Sequence, residues 1–250
     1  MRTPFIAGNW KMHKTLGESV DFARRLVDGL DLPANREVAV APTFTALSAV
    51  WEVLSGSPVG LAAQNCHDRF QGAFTGEISP ALLFDAGCRY VIIGHSERRV
   101  LFGETDAFLR RKTVAALAIG LTPIFCVGET LEEREADRTE AVVRGQIEAG
   151  LGTCTPEDLS RILIAYEPVW AIGSGRTATP RQAQAVHASI RETVDGLVAS
   201  PVSEKVRILY GGSVNPGIMS DLMGEADIDG VLVGGASLDL TSFLEIIHYR

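Results

Sequence analysis

Short apolar runs, many of them rich in β-branched residues, alternate along the chain with longer amphipathic stretches. The apolar runs have the length of strands, and the amphipathic stretches have the periodicity of helices. Eight strands are predicted, at Phe5–Asn9, Val38–Ala41, Val59–Gln64, Tyr90–Ile93, Thr122–Val127, Ile162–Tyr166, Arg207–Tyr210 and Gly230–Val233. The clearest helices are predicted at Val20–Leu30, Thr105–Ile119, Leu131–Leu151, Pro180–Val198 and Phe243–His248. Since the strands are apolar throughout, we expect a parallel sheet with helices covering both faces.

Eight strand–helix units in succession, with no linker long enough to separate domains, predict one α/β domain spanning residues 1–250. A closed (β/α)8 barrel and an open doubly wound sheet both have this order of elements. Polar residues or glycines follow the carboxyl ends of successive strands, at Asn9, Lys11, Gln64, Asn65, His95, Glu129, Glu167, Ser213 and Gly234. In a barrel these positions meet around one mouth, whereas an open sheet spreads them along an edge. The pattern therefore favours a single closed (β/α)8 barrel.

Composition and charge narrow the range of partners. The chain of 250 residues is 46% hydrophobic and 22% charged, which is typical of a globular fold with a large core. The net charge of −8 argues against nucleic acid as a partner, because binding a phosphate backbone needs a clustered basic face. It does not exclude a small phosphorylated molecule, which responds to the local field of its site.

Signals for membranes or for oxidising compartments are missing from the sequence. No apolar run approaches the roughly 20 residues of a membrane span, and the first residues lead into a strand without the apolar core of a signal peptide. Four cysteines are scattered without C-x-x-C spacing, at Cys66, Cys88, Cys126 and Cys154. We therefore expect a soluble cytoplasmic protein with reduced thiols and no structural zinc.

A lone carboxylate, Glu167, ends the sixth predicted strand. Pro168 stops this strand, and the apolar residues Val169–Ile172, here called the flap, follow in what should be a loop. Behind the flap, Gly173 and Gly175 supply the backbone freedom of a hinge. A structural glutamate beside a surface tryptophan also produces this pattern. A carboxylate beside an apolar flap that can close over it is, however, the arrangement that keeps a general base dry.

Two further candidates follow the first and fourth strands. Lys11, in Gly8-Asn9-Trp10-Lys11-Met12, is either a surface lysine or a fixed positive charge for an anionic substrate. His95 begins a turn or short helix, where the helix dipole favours the neutral imidazole as a hydrogen-bond donor to a carbonyl oxygen. The His95-x-Glu97 spacing is also compatible with a metal site, but no third ligand is apparent, so no metal is predicted.

Paired glycines follow the seventh and eighth strands, in Tyr210-Gly211-Gly212-Ser213 and Val233-Gly234-Gly235-Ala236. Without side chains, the backbone N–H groups there can approach a phosphate, and loops after strands 7 and 8 are where barrels commonly bind one. A base, an electrophile, a fixed cation and a phosphate site together permit proton transfer next to a carbonyl in a small phosphorylated compound. The expected intermediate is an enediolate.

Other phosphate-binding barrels are the alternative interpretation, in particular an aldolase or a sugar-phosphate epimerase. An aldolase needs a metal cluster or a Schiff-base lysine, and Lys11 is the only lysine near the carboxyl end of a predicted strand. A non-catalytic barrel that senses sugar phosphates is a third hypothesis. It requires the loss of Glu167, His95 or Lys11, and all three are present.

Long stretches in order, from Phe5 to about Leu238, resemble the triosephosphate isomerase family. They are Gly8–Met12, Ala63–Cys66, Gly72–Ser79, Gly94–Arg99, Ala165–Gly173 and both Gly-Gly turns. The resemblance implies interconversion of dihydroxyacetone phosphate and glyceraldehyde 3-phosphate, in glycolysis and gluconeogenesis, without cofactor or metal. It implies that the central catalytic residues are Lys11, His95 and Glu167, with support from Asn9, Ser96 and Glu97. It also implies a substrate and phosphate site at Asn9, Lys11, Gly173, Ser213, Gly234 and Gly235.

The same resemblance implies a homodimer. The loop from Gln64 to Glu77, here called the arm, is similar to a segment that reaches into a second subunit. There it braces Asn9 and Lys11, with Thr75 at its tip. At the far hinge of the flap the family usually has Thr and Lys, where this chain has Ser174 and Arg176. We expect this departure to alter the closing rate and not the chemistry.

Overall fold

The computed structural model describes residues 2–31, 33–172, 177–198 and 202–250. Eight parallel strands close into a barrel, in which each strand pairs with the next along the chain and the eighth pairs with the first. They are β1 Phe5–Asn9, β2 Glu37–Ala41, β3 Val59–Ala63, β4 Tyr90–Ile93, β5 Thr122–Val127, β6 Leu163–Tyr166, β7 Arg207–Tyr210 and β8 Gly230–Val233. The predicted closed (β/α)8 barrel is confirmed, and no predicted strand end differs from the observed one by more than one residue.

Helices connect the strands and cover the outside of the barrel. In the described ranges they are α1 Leu16–Gly29, α2 Leu47–Leu54, α3 Pro80–Asp85, α4 Ser96–Phe102, α5 Asp106–Ile119, α6 Leu131–Glu135, α7 Thr139–Leu151, α8 Pro156–Ser160, α9 Pro180–Leu197, α10 Pro216–Met223 and α11 Leu240–Ile247. The single helix predicted at Leu131–Leu151 is wrong. Asp137 has a left-handed φ of 53°, which a residue inside a helix does not take, so α6 and α7 are separate.

Four helices begin with the same local signal. A threonine precedes the first turn and its hydroxyl accepts a hydrogen bond from the backbone N–H three residues later. The side chain at that later position accepts from the backbone N–H of the threonine. The pairs are Thr15 and Glu18, Thr130 and Glu133, Thr155 and Asp158, and Thr179 and Gln182. Because these bonds satisfy backbone donors that a helix leaves free, short-range sequence determines where α1, α6, α8 and α9 begin.

Alternate side chains of the strands lie on opposite sides of the barrel wall. One set forms a cluster inside the barrel, made of Phe5, Ala7, Ala39, Ala41, Ala62, Tyr90, Ile92, Ile124, Cys126, Leu163, Ala165, Leu209 and Leu232. The other set packs outward in a larger cluster with the helices. Both sets are buried and apolar, so the barrel interior is a packed core. Polar side chains with a chemical role are therefore expected at the strand ends.

His187, on α9, is a buried histidine within this outer layer. Its Nδ1 lies 3.2 Å from the carbonyl oxygen of Asp227, and its Nε2 has no hydrogen-bond partner in the part of the chain that the structure describes. Burial lowers the pKa of His187 from 6.5 to about 4, although the bond to the Asp227 carbonyl opposes the shift. The folded chain therefore keeps this ring neutral at a pH where an exposed histidine is charged.

His187 should make the fold sensitive to mild acid. Between pH 6.5 and about 4 the unfolded chain binds a proton that the folded chain excludes, so the free energy of unfolding falls as the pH is lowered. The full effect is about 3 kcal/mol, at roughly 1.4 kcal/mol for each unit of pKa. Denaturant titrations near pH 7 and again near pH 4.5 should show a smaller loss in His187→Gln than in the unchanged chain. Equal losses would contradict the assignment, because all other titrating groups are common to both proteins.

Candidate active site

A cavity of about 360 Å³ opens at the carboxyl ends of the strands. It is lined by Asn9, Lys11, His95, Glu167, Ile172, Gly211, Gly212, Ser213, Val214, Leu232, Gly234, Gly235 and Ala236. Loops that are far apart along the chain thus bring most of the predicted site residues together at this cavity. Two candidates, Ser96 and Glu97, do not line the cavity and lie in the first turn of α4, next to His95.

Glu167 follows β6 directly, and its side chain is buried at the cavity wall. Its Oε2 accepts a hydrogen bond from the backbone N–H of Ser96 at 2.8 Å. Its Oε1 lies 3.2 Å from Nε2 of His95. The carboxylate and the imidazole, which we expect to act on one molecule, are therefore in direct contact.

Two glycines allow the neighbouring strands to approach Glu167. A Cβ at Gly128 would lie 1.8 Å from the carbonyl oxygen of Glu167, and a Cβ at Gly211 would lie 2.8 Å from its Cγ. Both distances are shorter than any ordinary contact of a Cβ, so glycine is required at both positions. The N–H of Glu167 donates to the Val127 carbonyl, and the N–H of Gly211 donates to the Tyr166 carbonyl, each at 2.7 Å. The backbone that carries the carboxylate is therefore held from both neighbouring strands.

His95 is the N-cap residue of α4, and its side chain is buried. Its Nδ1 accepts a hydrogen bond from the backbone N–H of Glu97 at 3.2 Å. Because Nδ1 accepts, we assign the proton of the neutral ring to Nε2, the nitrogen that lies against Glu167. The ring is thus oriented to donate from Nε2, as the hypothesis of an electrophilic histidine requires.

Lys11 has a left-handed backbone conformation, with φ of 50°, that few residues other than glycine adopt. Its N–H donates to Oδ1 of Asn9 at 3.0 Å, and its carbonyl accepts from Nε2 of Gln64 at 2.8 Å. These two bonds hold the strained residue on both sides. Its side chain is only 26% exposed and lines the cavity, so the alternative of a surface lysine does not apply.

The ammonium group of Lys11 is paired with a carboxylate. Its Nζ lies 2.5 Å from Oε1 of Glu97. Burial acts to raise the pKa of Glu97, but the hydrogen bond from Lys11 and the positive charge of this lysine outweigh it, so this pKa lies below its ordinary value. Glu97 is therefore ionised at neutral pH and holds the cation at the cavity wall.

The glycine pair after β8 lies beside Lys11. A Cβ at Gly234 would lie 3.5 Å from Cε of the lysine. The Gly234 carbonyl accepts from the backbone N–H of Ser237 at 2.9 Å and from its hydroxyl at 2.7 Å, which fixes this peptide group. After β7, the hydroxyl of Ser213 donates to the carbonyl of Ala171 in the flap at 2.5 Å. Glycine backbone at the wall of a cavity, beside a lysine, is the arrangement expected for binding a phosphate.

The flap is anchored at its base by Glu129, a buried carboxylate that follows β5. Its Oε1 accepts from the indole N–H of Trp170 at 2.9 Å and from the hydroxyl of Tyr166 at 3.1 Å. Arg134 pairs with the same oxygen at 3.2 Å and lies over the Trp170 ring, 4.7 Å from its centroid. From the flap, Ile172 lines the cavity. The described residues do not include the hinge candidates Gly173, Ser174, Gly175 and Arg176.

Cys126 is a neighbour of Glu167 that the sequence motifs do not indicate. It lies at the penultimate position of β5, on the inner side of the barrel. Burial, and after it the negative charge of Glu167, raise the pKa of this thiol well above its ordinary value. The signal that could have identified it is its position near the carboxyl end of an apolar strand.

The spacing of His95 and Glu97 does not produce a metal site. The Glu97 carboxylate pairs with Lys11, and Nδ1 of His95 is occupied by a backbone N–H. Among the residues that the structure describes, no group of three or more His, Cys, Asp or Glu could hold a metal ion. No helix in those same ranges has both the length and the apolar character needed to cross a bilayer.

Known proteins resemble this chain over its whole length. The sequence model of a family described as triosephosphate isomerase matches residues 4–250. The triosephosphate isomerase of Chloroflexus aurantiacus is 56% identical over 250 residues, with 100% of each chain covered. That of Pelobacter propionicus is 56% identical over 253 residues, again with 100% of each chain covered. That of Syntrophotalea carbinolica is 53% identical over 250 residues, with 100% of this chain and 99% of the relative covered. The chain belongs to the triosephosphate isomerase family.

Proposed function

We propose that this chain is an isomerase that interconverts dihydroxyacetone phosphate and D-glyceraldehyde 3-phosphate through an enediolate, without a cofactor. The observation that carries the proposal is the 3.2 Å contact between Glu167 and His95 at a cavity that Lys11 also lines. A carboxylate base, a hydrogen-bond donor and a fixed cation around one small space are the groups that this proton transfer needs. The name that the relatives share supports the same reaction, which serves glycolysis and gluconeogenesis.

Glu167 acts as the general base. Its carboxylate leaves the Ser96 N–H, removes a proton from the carbon next to the substrate carbonyl, and returns the proton to the adjacent carbon. A positioned base of this kind contributes about 10²- to 10⁴-fold to a rate. Ser96 supports the reaction by holding the carboxylate when it is not engaged with substrate.

His95 and Lys11 stabilise the negative charge that develops on oxygen in the enediolate, with Asn9 beside them at the cavity wall. Each such donor typically contributes about 3 to 4 kcal/mol. Glu97 supports Lys11 by holding its ammonium group in place. The triosephosphate isomerase family is itself the known example of a neutral histidine in this role.

The phosphate of the substrate binds to the glycine backbone after β7 and β8, at Ser213, Gly234 and Gly235, and to Gly173 behind the flap. Backbone N–H groups can approach an anion closely there because no Cβ intervenes. The flap closes over the substrate and excludes water. Exclusion of water matters because an enediol phosphate can lose its phosphate by elimination.

A coupled assay of the purified chain with glyceraldehyde 3-phosphate, with EDTA present, tests the proposed activity. We expect turnover that EDTA leaves unchanged, because none of the proposed groups needs a metal. Turnover that requires a metal, or that acts only on larger sugar phosphates, would favour an aldolase or an epimerase. Substrate binding without any turnover would favour the sensor hypothesis.

We further propose that two copies of the chain form a homodimer through the arm. In the single chain, large apolar side chains are exposed in the loop after β1, in the arm, and on α3 and α4. They are Met12, Phe70, Phe74, Leu82, Phe84, Val100, Leu101 and Phe102. Met12, which directly follows Lys11, is 92% exposed. Apolar surface of this extent supports an interface between copies.

A charge at the tip of the arm should separate the two copies and lower activity. Thr75 is exposed in the single chain, and in the dimer its side chain would be covered by the loop of Asn9 and Lys11. At low protein concentration, the mass of Thr75→Arg measured by light scattering should therefore be that of a single chain. Its kcat should also be reduced. Thr153→Arg, at an exposed threonine after α7, is the matched control and should remain dimeric. A fully active monomeric Thr75→Arg would count against the bracing role of the arm.

We also propose that residues 1–250 form one domain and that the protein works in the cytoplasm. One domain is supported by the pairing of β1 with β8, which joins the two ends of the chain in one barrel. A reducing compartment is supported by the four cysteines, which are buried and unpaired. The net charge of −8 argues against nucleic acid as a partner and does not exclude a small phosphorylated substrate, which responds to the local field of its site.

A further inference from the structure

Arg99, on α4, contacts the backbone of two strand ends with a single guanidinium group. Its Nε donates to the carbonyl of Gly94 at 2.9 Å, and its Nη2 donates to the carbonyl of Cys126 at 2.9 Å. Its Nη1 pairs with Oδ1 of Asp106, at the start of α5, at 2.6 Å. The side chain is only 15% exposed, so these bonds are largely shielded from water.

The two carbonyls belong to residues that adjoin the reacting groups. Gly94 directly precedes His95 and has a left-handed φ of 75°. A Cβ on Gly94 would lie 2.8 Å from Cδ1 of Leu109, so this turn is tightly enclosed. Cys126 is the residue whose thiol lies against the Glu167 carboxylate. Arg99 therefore contacts the residue that directly precedes His95 and, on β5, the residue before Val127, whose carbonyl accepts from the N–H of Glu167.

Strand pairing does not join these two positions. The register between β4 and β5 ends with Ile93 opposite Phe125, so Gly94 and Cys126 are the next residues along each strand. Beyond the last backbone pair of β4 and β5, the guanidinium of Arg99 connects the two strands, because it binds one carbonyl from each of them. A guanidinium is suited to this bridge since its donors are fixed in one plane, whereas a lysine ammonium has no such geometry.

We propose that Arg99 is a positioning residue that sets the separation of His95 and Glu167 by joining the ends of β4 and β5. This inference depends on the proposed function, because it assigns Arg99 to the alignment of that reaction's base and electrophile. Arg99 itself does not line the cavity, so it acts through the two backbones and not on the substrate. Misplacement of a reacting group by about 1 Å can cost roughly a hundredfold in rate.

The test compares Arg99→Met with Arg36→Met. Arg36 is a matched control because its guanidinium also binds two backbone carbonyls, those of Ile247 and Tyr249, which do not line the cavity. Both variants should lose some stability against denaturant. Only Arg99→Met should lose kcat, by about tenfold or more, with KM and the inhibition constant of inorganic phosphate changed by less than about twofold.

Chemical rescue separates positioning from a loss of folding. In Arg99→Ala, low non-denaturing concentrations of guanidinium chloride should raise kcat, whereas sodium chloride at the same ionic strength should not. Arg99→Lys keeps the charge and should retain only part of the kcat of the unchanged chain. If Arg99→Met does not fold, Arg99→Lys takes its place in the comparison with Arg36→Met. A folded Arg99 variant with kcat within about twofold of the unchanged chain would overturn the inference, as would a loss that guanidinium does not restore. A chain with no isomerase turnover before substitution would instead overturn the proposed function.

Discussion

Replacing Glu167 by glutamine should lower kcat by about 10²- to 10⁴-fold and leave KM close to its original value. Glutamine keeps the size of the side chain and can still accept from the Ser96 N–H, but it cannot take a proton from carbon. The carboxylate is buried, and both of its oxygens already have partners in Ser96 and His95. Substrate binding should therefore change little, because the lost interaction is made chiefly in the transition state.

Two further measurements make this prediction specific to the base. In deuterated water, Glu167→Gln should lose incorporation of deuterium into the triose phosphate as strongly as it loses turnover, since the proton travels through this residue. Glu167→Asp keeps a carboxylate but shortens the side chain by one methylene, so its kcat should lie between that of the unchanged chain and that of Glu167→Gln. Near-normal turnover in Glu167→Gln would remove Glu167 from the mechanism.

Replacing Lys11 by methionine should raise KM and lower kcat together, with a loss in kcat of about 10²- to 10³-fold. Lys11 is a cation that lines the cavity, so it should attract the anionic substrate and also stabilise the enediolate oxygen. Methionine has a similar length and fills the same space without charge. Loss of Lys11 also leaves Glu97 without its ion-pair partner beside the site, which adds a repulsive charge for an anionic substrate.

Lys14→Met is the matched control for this substitution. Lys14 lies three residues away, and its Nζ donates to the Leu238 carbonyl at 2.9 Å and lies over the ring of Phe22. It has the same charge but does not line the cavity, so kcat and KM should stay near those of the unchanged chain. Steady-state kinetics at fixed ionic strength measure both variants. Equal effects of the two substitutions would mean that Lys11 acts only through the general field of the protein.

Local hydrophobic patterns in the sequence predicted all eight strands and most of the long helices. Strand bounds agree within one residue because a run of buried apolar residues ends where polar residues begin, as at Tyr90–Ile93. The predicted helix Leu131–Leu151 is wrong because its amphipathic pattern continues through Asp137, whose left-handed φ has no sequence signal of its own. Five helices of eight residues or fewer, α2, α3, α4, α8 and α10, are not among the clear predictions, since so few residues establish little periodicity.

The contacts within the site were less accessible from the sequence. The motifs indicated Lys11 and Glu97 as separate candidates, but their 2.5 Å ion pair depends on the approach of two loops. Cys126 resembled three other scattered cysteines until the barrel placed it against Glu167. Arg99 lies inside a recognised motif, yet its bonds reach carbonyls at the ends of two different strands.

The sequence by itself determined the order of the strands, the closed barrel and the side chains available for chemistry, because periodicity and strand-end residues are properties of short segments. Only the tertiary structure decided which of those side chains touch, how His95 is oriented and which residues support them. The physical reason is that these distances arise when the barrel closes and joins segments far apart along the chain. Close approach at Gly128 and Gly211, and hydrogen bonds between strand ends, then fix these contacts.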